Sequence, residues 1–161
     1  GDGFFVVLDA LEPRAAGPFA FVCTWRTPAY AELDGRRWCT RQGDYAFSLC
    51  AGQDLDMISL EQGLQGASNP YVLHQRQAGS YQPGDCVSFH NLFYVRSANS
   101  EQAFDLRSIG PGAAIVVDDT GRVLAWFAMA PQGEGMTLGE MVVTAKSAMA
   151  TREMVAVTGA T

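Results

Sequence analysis

Basic residues are scarce in this sequence of 161 residues: Lys146 is the single lysine, and Lys and Arg together number 11 against 17 Asp and Glu, a net charge of -6. The arginines are scattered, so no basic stripe exists that could release counterions from a phosphate backbone, and no nucleic acid partner is expected. Long apolar runs are also missing. The longest, such as Phe4 to Leu8 and Ala113 to Val117, fall far short of the roughly 20 residues of a membrane-crossing helix, so no membrane span is expected. A secretory leader pattern is lacking as well, because "GDGFFVVLDAL" already reads as a strand. The chain is expected to be a mature form or a piece of a larger protein.

Metal-binding spacings are absent. Cys23, Cys39, Cys50 and Cys86 lie 16, 11 and 36 residues apart, which matches no CxxC pair or zinc-ribbon pattern. Their even number suits one or two disulfides in an exported protein, and burial as free thiols in strands suits them equally. The two histidines, His74 and His90, cannot make a three-histidine site, and adding Cys86 still leaves no clear fourth ligand. Neither a metal nor a cofactor is expected.

Nucleophile and phosphate motifs are missing too. No serine sits in a GxSxG elbow. "GPGAAIVVDDTG" leads into a strand, not a helix, and so presents no helix-terminal amides to a phosphate. The carboxylate pairs Asp54/Asp56 and Asp118/Asp119 could serve glycoside cleavage or calcium, but both fall at strand ends or turns, where Asp is at home in any case.

What the sequence does contain is a succession of short Val-, Phe-, Tyr-, Trp- and Thr-rich segments separated by Gly, Pro, Asp and Asn, the pattern of an all-β sandwich or barrel. About a dozen strands are predicted in one domain spanning 1–161, an antiparallel β-sandwich, near 3–10, 18–27, 29–33, 36–40, 44–50, 56–62, 70–77, 86–96, 102–108, 113–118, 122–129, 139–149 and 152–158. Asp34-Gly35, "DDTGRV" and "YQPGDCV" supply hairpin and turn chemistry. In "TLGEMVVTAKSAM" Thr137 and Glu140 have capping-box spacing, yet the alternation and the Val142-Val143-Thr144 run favour a strand. No repeat of fixed period is present.

The stretch "CVSFHNLFYVR", 86 to 96, concentrates reactive side chains. As a strand it sends His90, Leu92, Tyr94 and Arg96 to one face and Asn91 to the other. Such a row suits proton abstraction beside a sugar carboxylate, with His90 and Tyr94 as base and acid and Arg96 or Asn91 neutralising the carboxylate. A polar, solvated sheet face with a satisfied histidine produces the same pattern and stands ahead of it. Trp25, Tyr30, Trp38 and Trp126 are the candidates for stacking on a sugar ring, against the alternative of core packing.

Taken together, "GDGFFVVLDAL", "FVCTWRTP", "GDCVSFHNLFYV", "GPGAAIVVDDTGRVLAWF" and "MVAVTGAT" resemble the all-β sandwich modules attached to heparinase II/III-like polysaccharide lyases and other large exported bacterial proteins. In that family catalysis centres on a helical toroid domain, which these residues do not contain, so no family catalytic residue carries over to this sequence. The resemblance implies a non-catalytic β-sandwich module of an exported bacterial protein (secreted, periplasmic or at the cell surface), carbohydrate-binding or structural. Its partners would be a polysaccharide or neighbouring domains of a larger protein. The alternatives are a polysaccharide lyase, or a fragment of one, acting by β-elimination on uronate-containing glycans through His90 and Tyr94, and a self-assembling surface or filament subunit, hence a homo-oligomer.

Overall fold

The computed structural model describes residues 3–52, 55–63, 70–110, 112–130, 135–138 and 140–159. Among them there is no helix, and fifteen strands form antiparallel sheets. No helix is therefore long and apolar enough to cross a membrane.

The central sheet has the order β1-β8-β5-β4-β3, built from Phe4–Leu11, Val87–Ser97, Tyr45–Ala51, Arg37–Gln42 and Ala31–Asp34. In front of it lies a three-stranded sheet, β2-β7-β6 (Gly17–Thr27, Tyr71–Tyr81, Met57–Gln62). Behind it lies the order β15-β14-β11-β10-β9 (Val155–Thr158, Ser147–Thr151, Val123–Met129, Ala113–Asp118, Phe104–Gly110). A two-stranded ribbon of β12 (Gly135–Leu138) and β13 (Met141–Thr144) covers the outside of that rear sheet.

Period-two alternation assigns each layer its core. On the front face of the central sheet, Val7, Phe93, Leu49, Trp38 and Leu33 meet Trp25, Leu73, Ile58 and Leu60 of the front sheet. On its rear face, Phe4, Val6, Leu92, Tyr94 and Cys50 meet Phe104, Leu106, Val116 and Ala125 of the rear sheet. Small residues, Ala128, Ala145, Ala148 and Ala150, allow the ribbon's Met136 and Leu138 to pack closely on the other side. The fold is thus an all-β, antiparallel sandwich to which a third sheet has been added, so the central strands are covered on both faces.

That extra layer explains why "DYAFSLC" is not the half-buried strand its alternation suggests: Ser48 and Cys50 are buried as well as Leu49. Strand bounds otherwise follow the pattern, with three departures, the first being that β12, Gly135–Leu138, lies outside every predicted range. The predicted strand 139–149 divides into β13 and β14, and β12 pairs with β13 in a register joining Leu138 to Met141. In the β3–β4 hairpin Asp34 pairs directly with Arg37, so the two-residue loop is Gly35-Arg36, with Gly35 at φ 55°, and not Asp34-Gly35. The turn after β7 follows its sequence: Asp85 N donates to Gln82 O at 3.1 Å, with Pro83 and Gly84 between them and Gly84 at φ 94°.

Candidate functional site

β8 carries the residues singled out in the sequence, and its position between β1 and β5 decides their surroundings. His90 is 1% exposed and Tyr94 2%, both on the face that meets the rear sheet; Asn91 is fully buried on the front face. The row is therefore neither solvated nor open to a polymer, because the rear sheet lies over it. Tyr94 packs edge-on against Phe104, ring centroids 5.2 Å apart. Asn91 Oδ1 accepts from Gln75 Nε2 at 2.6 Å, which ties the central sheet to the front sheet. Arg96, one turn of the pleat further on, escapes the covered zone and donates through Nη1 to Ser100 O.

His90 Nδ1 lies 3.2 Å from Ser108 Oγ, a pairing that chain order did not suggest. The geometry does not activate the serine. Ser108 Oγ donates its only proton to Gly52 O at 2.5 Å, so Nδ1–H donates to Oγ and the imidazole cannot receive the serine proton from that side. Gly52 N in turn donates to His90 O at 3.2 Å, and Ser108 N to Gly52 O at 2.8 Å. The group is a clip between β5, β8 and β9. Burial pushes the His90 imidazole down to about 4, so it is neutral near pH 7.

His74 is half-buried on the front sheet, with its Nε2 3.8 Å from Glu61 Oε2. The two histidines thus stand on different sheets, and no group of three metal-ligating side chains exists among the described residues. All four cysteines are free thiols, Cys50 buried and Cys86 exposed. Burial first, and then the Asp9 carboxylate, pushes Cys23 up to about 11. Asp118 is a turn residue: its Oδ1 accepts from Thr120 N, Thr120 Oγ1 and Arg122 N, at 3.0, 2.6 and 2.9 Å. Those bonds, the Thr120 hydroxyl first, hold its carboxyl below the usual range. Asp56 accepts from Ala78 N, and Asp54 lies outside the described residues.

The aromatic candidates separate by depth. Trp38 is 3% exposed inside the front core. Trp25 is half-buried edge-on to Phe93, ring centroids 4.8 Å apart. Trp126 is half-buried between the rear sheet and the ribbon. Tyr30 alone of the four is open, at 65% exposure. It lies on the connection into β3, where its ring meets Tyr71 edge-on at 5.4 Å.

Open surface that could take a ligand is found at one end of the central sheet, beyond the cover of both neighbouring sheets. Register aligns Thr40, Phe47 and Val95 across β4, β5 and β8, and Gln42, Tyr45 and Ser97 one row further out. On the front face Thr40, Phe47, Val95, Gln42, Tyr45 and Pro28 line an open cleft of about 820 Å³, in which Tyr45 is 63% exposed. Alternation turns the intervening residues, Arg41 and Arg96, to the rear face of the same overhang, where Tyr30 also stands. Tyr45 belongs to the wider set of aromatic residues in the sequence but not to the four stacking candidates drawn from it. Its signal was the strand alternation that set it beside Phe47, and only the missing cover distinguishes it from a core tyrosine. No known protein family, curated protein or solved structure matches this chain.

Proposed function

We propose that the chain is a non-catalytic module that attaches to carbohydrate through the open end of its central sheet. The observation that carries the reading is the front cleft. An exposed Tyr45 ring stands with Phe47 and Val95 on the central sheet, with Pro28 of the β2–β3 connection, Thr40 and Gln42 beside them. A flat aromatic face takes the C–H face of a sugar ring, while hydroxyl and amide side chains exchange hydrogen bonds with its hydroxyls. Placement in an exported bacterial protein rests on the resemblance of the strand segments to modules of that kind. Burial of His90 and Tyr94 under the rear sheet supports binding over β-elimination, since abstraction of a sugar proton needs the base within hydrogen-bond reach of its substrate. Electrophoresis through gels cast with neutral and acidic polysaccharides tests the reading: retardation is expected in at least one, and lost in Tyr45→Ala with the melting temperature unchanged. Equal mobility of wild type and variant in every gel would remove the proposal.

One observation favours a second reading, a self-assembling surface or filament subunit. β15 is an edge strand with Val155 and Val157 exposed and no charged residue between Met154 and Gly159, so nothing on it opposes pairing with another chain. Sedimentation over a wide concentration range distinguishes it: association that Val157→Lys abolishes supports assembly, and a monomer throughout excludes it.

A further inference from the structure

The rear face of the overhang has a chemistry of its own. Arg37 and Arg41 on β4 and Arg96 on β8 line an open cleft of about 530 Å³ together with Tyr30, Glu32 and Asp34. Register sets Arg41 opposite Ala46 and Ala46 opposite Arg96. Two arginines thus flank one small residue, with backbones about 10 Å apart by the usual strand spacing. Glu32 and Asp34 share the cleft, yet none of the three guanidinium groups is ion-paired among the described residues. Arg37 Nη2 reaches Phe104 O at 3.4 Å and Arg96 Nη1 donates to Ser100 O, while Nε of both is enclosed without a hydrogen-bond partner. Glu32 accepts instead from the Tyr30 hydroxyl at 3.4 Å. In a chain of net charge -6 this cleft carries a net positive charge of one, with its guanidinium groups outside any ion pair among the described residues.

We propose that this cleft binds a sugar acid through its carboxylate. A guanidinium fork matches a planar carboxylate with two parallel hydrogen bonds, and the positive charges outnumber the negative ones by a single unit, which suits one anionic group per ligand. Glu32 and Asp34 accept from hydroxyl groups on the same ligand and repel densely charged polyanions. The open Tyr30 ring at the rim supplies a flat surface for the sugar ring. Two candidates from the sequence, Tyr30 and Arg96, thus come together with two arginines that sequence reading did not single out. The site lies on the opposite face of the sheet from the Tyr45 cleft and stands without it.

The test uses the intact chain, with arginine Nε–Hε resonances followed by nuclear magnetic resonance during titration with D-galacturonate, D-galactose, sodium acetate and sodium sulfate. Galacturonate is expected to shift the Arg37 and Arg96 Nε–Hε signals saturably, with galactose silent and acetate and sulfate at least about tenfold weaker. Arg41→Met, which keeps the side-chain stem, should weaken galacturonate about tenfold, the loss of one hydrogen bond to a charged group. Tyr45→Ala should leave the titration unchanged, so a failed front cleft and a failed rear cleft give different results. Acetate or sulfate binding as tightly as galacturonate would reduce the cleft to a simple anion site and overturn the proposal. So would unchanged binding in Arg41→Met, or no shift with galacturonate.

Discussion

Lowering the pH should destabilise this protein through His90. His90 is buried at the junction of three strands, and its imidazole is held at about 4 against an ordinary 6.5. Below about pH 6.5 the unfolded chain takes up a proton that the folded chain refuses, so stability falls with decreasing pH until the folded state also protonates near 4, and then levels off. A gap of 2.5 pH units at about 1.4 kcal/mol each amounts to about 3.5 kcal/mol, most of it lost between about pH 6.5 and 4. Other groups titrate in the same window, so the measurement compares wild type with His90→Gln, whose amide can still donate to Ser108 Oγ. Urea denaturation followed by tryptophan fluorescence, from about pH 7.5 to 3.5, should show the stability advantage of wild type shrinking by about 3.5 kcal/mol as the pH falls. Parallel pH profiles for the two proteins would refute the reasoning, because they would mean that His90 titrates alike in both states.

Three further outcomes are expected. Gly52→Ala places a methyl group 2.5 Å from Leu106 Cγ and 2.9 Å from Leu106 O; it should cost at least about 1–3 kcal/mol by thermal denaturation, and a neutral effect would mean that β9 is free to shift. Phe93→Ala removes the ring that stacks on Phe5 at 4.7 Å and meets Trp25 and Phe47 at 4.8 and 5.8 Å, a loss of about 3–5 kcal/mol in chemical denaturation. Thiol labelling of the native protein read by mass spectrometry should modify Cys86 first and leave Cys50 unmodified until unfolding; early labelling of Cys50 would mean that the rear and central sheets separate readily.

Local pattern located the strands well because period-two alternation and turn residues act within a few positions of each other. The third layer was harder to see. β8 is apolar on both faces, Phe89 and Phe93 to the front and Leu92 and Tyr94 to the rear, and a strand covered twice lacks the polar side that alternation reads. His90 therefore looked like part of an exposed row, although its depth depends on a sheet that begins at Phe104. The same limit applies to the two clefts. Arg41 and Arg96 are 55 positions apart in the chain, and only the register of β4, β5 and β8 brings them to either side of Ala46. Tyr30, Trp38 and Trp126 were equally eligible by residue type; Tyr30 is exposed, whereas Trp38 and Trp126 pack into cores that composition alone does not define.

Among the described residues β1 has a single lateral neighbour, and that neighbour is made late. Phe4 pairs with Tyr94, so 90 residues must follow before its ladder can close. At a synthesis rate of about 5–20 residues per second the first strand waits roughly 5–20 s with its apolar face unclaimed. Until β8 emerges, Phe4, Val6 and Leu8 have no native strand to join, and the nascent chain is at its most vulnerable to joining a foreign one.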